Sequence, residues 1–170
     1  MEKRFLPPRE TALAIVENGK RVTTQPVSRT VVLSLPAGFY IAFGAQLATV
    51  ITQDSASYLG QGLSRLLAGS VFSMGLMLVV ICGAELFTGN SLLTKSALQG
   101  QIPWHKIWEN WFIVILGNLI GSLFFAWLML HSDLWKSGNV ADYAISIAAS
   151  KCELSFSVAL VRGIFCNWLV

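Results

Sequence analysis

Charge is scarce in this chain. Asp, Glu, Lys and Arg make up 12% of its 170 residues, where a soluble domain carries about a quarter. Histidine is scarcer still: His105 and His131 have no second histidine at haem- or metal-ligand spacing, so neither a metal nor a haem cofactor is expected. The three cysteines, Cys82, Cys152 and Cys166, show no CxxC spacing, and each lies in or beside an apolar run. That pattern argues against a disulfide framework or a zinc site and for free thiols embedded in a membrane. No short apolar core with a small-residue cleavage site follows the first basic residues, so no signal peptide is expected. The net charge of +3 gives no argument for a nucleic-acid partner, because membrane topology accounts for the basic residues.

What the chain has in quantity is apolar surface. Hydrophobic residues reach 54% and the mean hydropathy is +0.61, the composition of a membrane protein in a lipid bilayer, and the helix-length apolar runs that follow make it an all-α membrane protein. Residues 1–29 form a basic lead-in. Pro7 and Pro8 open it, Arg9 to Glu17 reads as a short amphipathic helix at the membrane face, and Gly19 and Lys20 close it; a mobile basic tail is the alternative. The transmembrane domain covers 30–170, with spans at about 30–51, 66–95, 107–130 and 154–170. Gln46 is the strongly polar side chain inside the first span, and a loop of low charge ending near Arg65 separates it from the second. Trp104, Trp108 and Trp111 at one end of the third span, and Trp127 and Trp135 at the other, form an interfacial aromatic belt. The fourth run, Leu154–Val170, falls short of the roughly 20 residues a span needs. The chain therefore reads as part of a longer protein, and its first spans, taken alone, are expected to insert but be unstable.

The second span is the informative one. A single helix over 66–95 would be roughly 45 Å long at about 1.5 Å per residue, against a hydrocarbon core about 30 Å thick. Gly83 and Gly89, with Glu85, Thr88, Asn90 and Ser91 between and after them, fall near its centre. The pattern predicts a half-helix, an irregular loop near 83–90 and a second half-helix. Irregular backbone at that depth is tolerated only where it is buried in protein or lines a cavity, and broken helices at the midplane are a common way to build a transport site. Glu85 is expected to turn away from any pore and accept hydrogen bonds from loop N–H groups. Thr88, small and neutral, is the better pore donor. Gly89, Asn90 and Ser91 would start the second half-helix, whose free N–H groups and positive dipole end favour a small anion. Phe72, Leu76, Leu86 and Phe87 surround the region.

In the third span Gly117 and Gly121 form a GxxxG pair that permits close helix approach, and Asn118 between them needs a partner on a neighbouring helix. Arg162, in the fourth run, either draws anions inward or snorkels to the interface. Six of the twelve basic residues precede Thr30, and Lys95 and Lys106 lie between the second and third spans with no acid between them. The positive-inside rule then puts the N-terminus in the cytoplasm of a multi-pass plasma (inner) membrane protein, with 131–153 outside.

Gly83-Ala84-Glu85-Leu86-Phe87-Thr88-Gly89-Asn90, Gly117-Asn118-Leu119-Ile120-Gly121 and Arg162 through Val170 together resemble the formate/nitrite transporter family over essentially the whole chain. The resemblance implies an aquaporin-like helical bundle, with the first three-span inverted repeat plus part of the fourth span present here. It implies a homopentamer with one pore per protomer that passes small monovalent anions (formate, nitrite or hydrosulfide), possibly with protons. By position it implies pore roles for Thr88, for Phe72, Leu76, Leu86 and Phe87 at constrictions, for Lys151 near the outer vestibule and for Asn167. Gly83, Glu85, Gly89, Asn90, Gly117, Asn118 and Gly121 would be structural. The family's central pore histidine lies on a later span, outside this sequence. The rivals are an aquaporin-like neutral solute channel, a membrane-anchor subunit of a redox complex, and a membrane-embedded enzyme. The last two lack the haem-spaced histidines or the convergent deep acid, base and nucleophile they need, so no enzyme is expected.

Overall fold

The computed structural model describes residues 5–169. They form helices α1 (Pro8–Thr24), α2 (Val27–Thr52), α3 (Ser55–Cys82), α4 (Phe87–Asn90), α5 (Leu93–Leu98), α6 (Trp104–His131), α7 (Val140–Cys152) and α8 (Phe156–Leu169), with a 3₁₀ turn at Leu134–Lys136. Three of them, α2, α3 and α6, are long and apolar enough to cross a membrane. The chain is thus an all-helical membrane protein whose second span is interrupted after Cys82.

Helix α2 lies between α3 and α6, and small residues let it approach both. A Cβ on Gly117 would overlap the Ser34 side chain, one on Gly121 the Leu35 carbonyl, and one on Gly38 the Asn118 carbonyl. On its other flank, Gly44 of α2 meets Gly75 of α3. A Cβ at Gly75 would sit 2.7 Å from the Tyr40 carbonyl oxygen. Lipid offers no hydrophobic drive for helices to pair, so dispersion at such close crossings holds them together. Above the glycine contacts, Phe125 packs edge-on against Phe39 and Phe43, with centroids 5.0 and 5.6 Å apart.

The lead-in helix begins with Pro7 at its cap and Pro8 in its first turn, where a missing N–H costs nothing. It does not stop at Gly19 but continues to Thr24. Gly19 is instead the contact point: it is buried against Ser96 of α5, whose hydroxyl donates to the Val16 carbonyl at 3.3 Å. Val22, Leu93, Ala97, Ile102 and Ile107, with Trp111 beside them, form a small core under that crossing.

Two connections, one expected as a loop of low charge before Arg65 and the other the polar segment 131–153, are largely helical. The stretch after Asp54 already belongs to α3, broken only at Gly60, where φ is +73° and ψ 164°. The break lets Ser55 and Ser64 hydrogen-bond across it at 2.5 Å. Within 131–153, helix α7 fills Val140–Cys152 and leaves α8 at an angle of 109°. The segment before α7 folds back over the end of α2. Trp135 donates its indole N–H to Gln46 Oε1 at 2.8 Å, and the Asn139 amide donates to Gln53 Oε1 at 2.7 Å. The polar side chain inside the first span thereby has its partner.

Candidate functional site

The interruption is built by one glycine and one asparagine. At the end of α3, Gly83 adopts the left-handed conformation (φ +65°), which a residue with a Cβ reaches only at a cost of about 1–2 kcal/mol. The Gly83 amide donates to Val80 O at 3.3 Å and the Ala84 amide to Val79 O at 3.0 Å. These are the paired bonds of a Schellman ending, and they satisfy carbonyls that would otherwise be left bare in a membrane. The chain then runs extended through Leu86. In this stretch the Glu85 amide donates to Leu33 O on α2 at 3.0 Å.

Asn118 of α6 secures the far side. Its Nδ2 donates to Ser34 O and to Glu85 O, both at 2.9 Å, and its Oδ1 accepts the Phe87 amide hydrogen at 3.0 Å. One side chain thus joins α2, the extended stretch and the first amide of α4. Trp111 adds a second anchor: its indole N–H donates to Asn90 O at 2.9 Å and its ring meets Phe87 edge-on at 5.6 Å.

The new half-helix starts at Phe87 rather than at Gly89. Its first-turn bonds run from Asn90 N to Leu86 O and from Ser91 N to Phe87 O, each 3.0 Å. The amides of Asn90 and Ser91, expected to face a ligand, are therefore already paired. Phe87 N–H is taken by Asn118. Among the described residues the Thr88 and Gly89 amides have no hydrogen-bond acceptor, and beside them a hydroxyl remains: Thr88 Oγ1 is buried and has no hydrogen-bond partner among those residues. A buried polar atom without a partner is rare in a folded chain and calls for an external one.

Glu85 is buried, at 8% exposure, and its partners differ from those expected. Instead of loop N–H groups, two side-chain amides hold the carboxylate: Gln25 Nε2 on Oε1 at 3.0 Å and Asn90 Nδ2 on Oε2 at 2.7 Å. Gln25 and the buried Asn110, which accepts from Asn90 at 2.9 Å, were not singled out in the sequence. Both are ordinary amides at positions 60 residues before and 25 after Glu85, with no local pattern to mark them. Thr11, Ala14, Ile15 and Asn18 of α1 line a cleft of about 250 Å³ with Gly89, Asn90, Leu92 and Leu93.

The structure brings Gly83, Glu85, Leu86, Phe87, Thr88, Gly89, Asn90, Gly117, Asn118 and Gly121 into one neighbourhood. Phe72 and Leu76 lie on the exposed side of α3, at 38% and 39% exposure, beside the α2 contact at Gly75. Lys151, at the end of α7, and Asn167, in α8, are exposed and are not joined to this neighbourhood. Asn167 donates only to Gly163 O of its own helix, at 2.8 Å. Among the described residues no group of three or more His, Cys, Asp or Glu could hold a metal ion.

A family model for the formate/nitrite transporter matches residues 9–170. The uncharacterized transporter YrhG of Bacillus subtilis is 38% identical over 98% of this chain and 63% of its own length. A probable formate transporter of Methanothermobacter thermautotrophicus is 36% identical over 100% of this chain and 68% of its own. Among solved structures, an FNT family ion channel superposes with a TM-score of 0.82 at 29% identity, covering 95% of this chain and 65% of that one. A pentameric formate channel with formate bound superposes with a TM-score of 0.72 at 33% identity, covering 83% and 56%. The chain thus spans roughly three fifths to two thirds of the length of these proteins.

Proposed function

The chain belongs to the formate/nitrite transporter family, and from that premise we propose that it supplies the pore loop of a membrane channel or transporter for small monovalent anions of the formate, nitrite or hydrosulfide class. The observation that carries this reading is Thr88 Oγ1, a buried hydroxyl with no partner among the described residues. It sits in the first turn after the break, beside Leu86 and Phe87, and is a neutral donor that the described residues leave unused. The carboxylate next to it is engaged with Gln25 and Asn90 rather than directed at the solute.

The chemistry follows from solvation. Moving an anion into an apolar constriction costs far more than moving the neutral acid. A donor that bonds the solute at the narrow point replaces part of its lost water, and protonation of the anion removes most of the remaining cost. Proton-linked passage of weak-acid anions is therefore the mode we propose. The bound formate and the pentamer named for the structural relative support formate-class substrates and a homopentameric assembly in the intact protein. Phe72, Leu76, Leu86 and Phe87 would supply the apolar constriction, and Lys151 and Asn167 would belong to the outer approach. Six basic residues before Thr30 support a cytoplasmic N-terminus in the plasma (inner) membrane.

The test is flux through the intact protein in liposomes. An imposed formate gradient should acidify or alkalinise the lumen in step with formate movement. Water and glycerol should pass no faster than through empty liposomes. A neutral solute flux without any formate flux would overturn the assignment.

A further inference from the structure

The Glu85 carboxylate is held from both sides by neutral amides. Gln25, in the corner between α1 and α2, donates from Nε2 to Glu85 Oε1 and to Thr30 Oγ1, each at 3.0 Å. Asn90 donates from Nδ2 to Glu85 Oε2 at 2.7 Å and to Asn110 Oδ1 at 2.9 Å. A side-chain amide has two hydrogens, so both groups are fully used. Among the described residues no lysine or arginine is ion-paired with Glu85. A buried carboxylate without a cation depends on the hydrogen bonds it accepts, and Gln25 supplies one of the two.

The arrangement has a direction. The Glu85 backbone is fixed by α2 through Leu33 O at 3.0 Å and by α6 through Asn118 at 2.9 Å. Its side chain then reaches forward to Asn90, which closes the turn that carries Thr88. The side-chain amide of Gln25 bonds the Glu85 and Thr30 side chains and lies outside the broken span, yet it sets where the carboxylate stands. Without it, Oε1 has no donor among the described residues, and the carboxylate gains by rotating toward other donors and drawing Asn90 with it.

We propose that Gln25 is a positioning residue for the pore loop: from the α1–α2 corner it fixes the Glu85 carboxylate, which fixes Asn90 and so the turn bearing Thr88. The consequence for transport rests on the reading of Thr88 as the pore hydroxyl, whereas the positioning itself does not.

The experiment compares three variants of the intact protein in liposomes, by hydrogen–deuterium exchange over 83–92 and by formate flux. Gln25→Met keeps the length and removes both donors. Gln25→Glu turns an acceptor toward Glu85. The double variant Gln25→Glu with Glu85→Gln exchanges the two groups, so that the amide now at position 85 donates to the carboxylate now at position 25 and still accepts from Asn90. Exchange over 83–92 should rise about tenfold in Gln25→Met, as expected for a lost hydrogen bond to a charged group, and further in Gln25→Glu. The double variant should return it to within about threefold of the parent, a reversal that a generally destabilising substitution does not give. Flux at saturating formate should fall in step, with the half-saturating concentration changed by less than about twofold. Unchanged exchange in Gln25→Met, or a double variant that exchanges as fast as Gln25→Glu alone, overturns the proposal. Should Gln25→Met fail to fold, the comparison of Gln25→Glu with the double variant decides alone. If exchange follows this pattern in a protein that carries no formate, the positioning role stands and the transport reading falls.

Discussion

The side-chain oxygen of Asn118 accepts the backbone hydrogen of Phe87 at 3.0 Å. Helix α6 thereby caps the half-helix α4, which has no capping side chain of its own. Because the same amide also donates to Ser34 O and Glu85 O, the close approach of α2 and α6 and the break in the second span have one cause in common.

Asn118→Leu fills similar space without either function of the amide. It leaves the Phe87 N–H and the Glu85 carbonyl without partners in a medium that cannot replace them. Each unpaired buried group costs about 1–3 kcal/mol, while interhelical hydrogen bonds in membranes average nearer 0.6. The expected loss of unfolding free energy in detergent is about 2 kcal/mol, and Asn118→Asp should not recover it, because a carboxylate keeps the acceptor for Phe87 but turns a second acceptor toward the Ser34 and Glu85 carbonyls. Equal stability of Asn118→Leu and the parent in a denaturant titration would remove the asparagine from this role.

Two glycines should fail for different reasons. Gly38→Ala places a methyl group into the Asn118 carbonyl, so α2 and α6 must separate, at a cost of about 1–3 kcal/mol. Gly83 has open space around it but a φ of +65°, so Gly83→Ala should cost about 1–2 kcal/mol from backbone conformation alone. Asparagine tolerates that conformation, so Gly83→Asn should be milder than Gly83→Ala, whereas Gly38→Asn should be worse than Gly38→Ala. Thermal unfolding of the four variants reads the two orders directly.

Glu85→Gln should act on stability more than on transport. The new amide presents one donor where two donors already converge. A rotation of the Gln25 amide, which brings its oxygen round, repairs one of the two contacts. We expect a loss of about 1–2 kcal/mol, with formate flux per assembled protein within about threefold of the parent and anion selectivity unchanged. Intact assembly with altered selectivity would put the carboxylate in the pore instead.

Sidedness is tested at Ser137, an exposed residue of the segment that folds back over α2. With Cys82, Cys152 and Cys166, all exposed and free, replaced by serine, Ser137→Cys should react with an impermeant thiol reagent in intact cells. Reaction only after lysis would invert the orientation.

The membrane class and the broken second span are legible in the sequence because each depends on local composition. Gly83 and Gly89, with a carboxylate and a threonine between them, have no place in an uninterrupted apolar helix. The close crossing at Gly117 and Gly121 is legible for the same reason. The partners of Glu85 are not, since Gln25 and Asn110 meet it only through the packing of α1, α2 and α6. The start of the half-helix at Phe87 is not legible either, because its amide is capped by a residue 31 positions away and Gly89 is the stronger local signal. Helix α7 was hidden by mixed charge: Asp142 and Lys151 sit in its first and last turns, where they favour a helix, yet they also make 131–153 resemble a polar loop.

The central claim is that the unpartnered hydroxyl of Thr88 is the donor that a passing anion meets. The most direct measurement is the initial rate of formate flux through liposomes bearing the intact protein with Thr88→Val or Thr88→Ser. Serine keeps the hydroxyl and valine keeps the shape. The flux should stay within about threefold of the parent for serine, and fall about ten- to a hundredfold for valine, the effect of one hydrogen bond to a charged group, with assembly unchanged in both. Formate flux through Thr88→Val at the parent rate, in a protein that assembles normally, would contradict the claim.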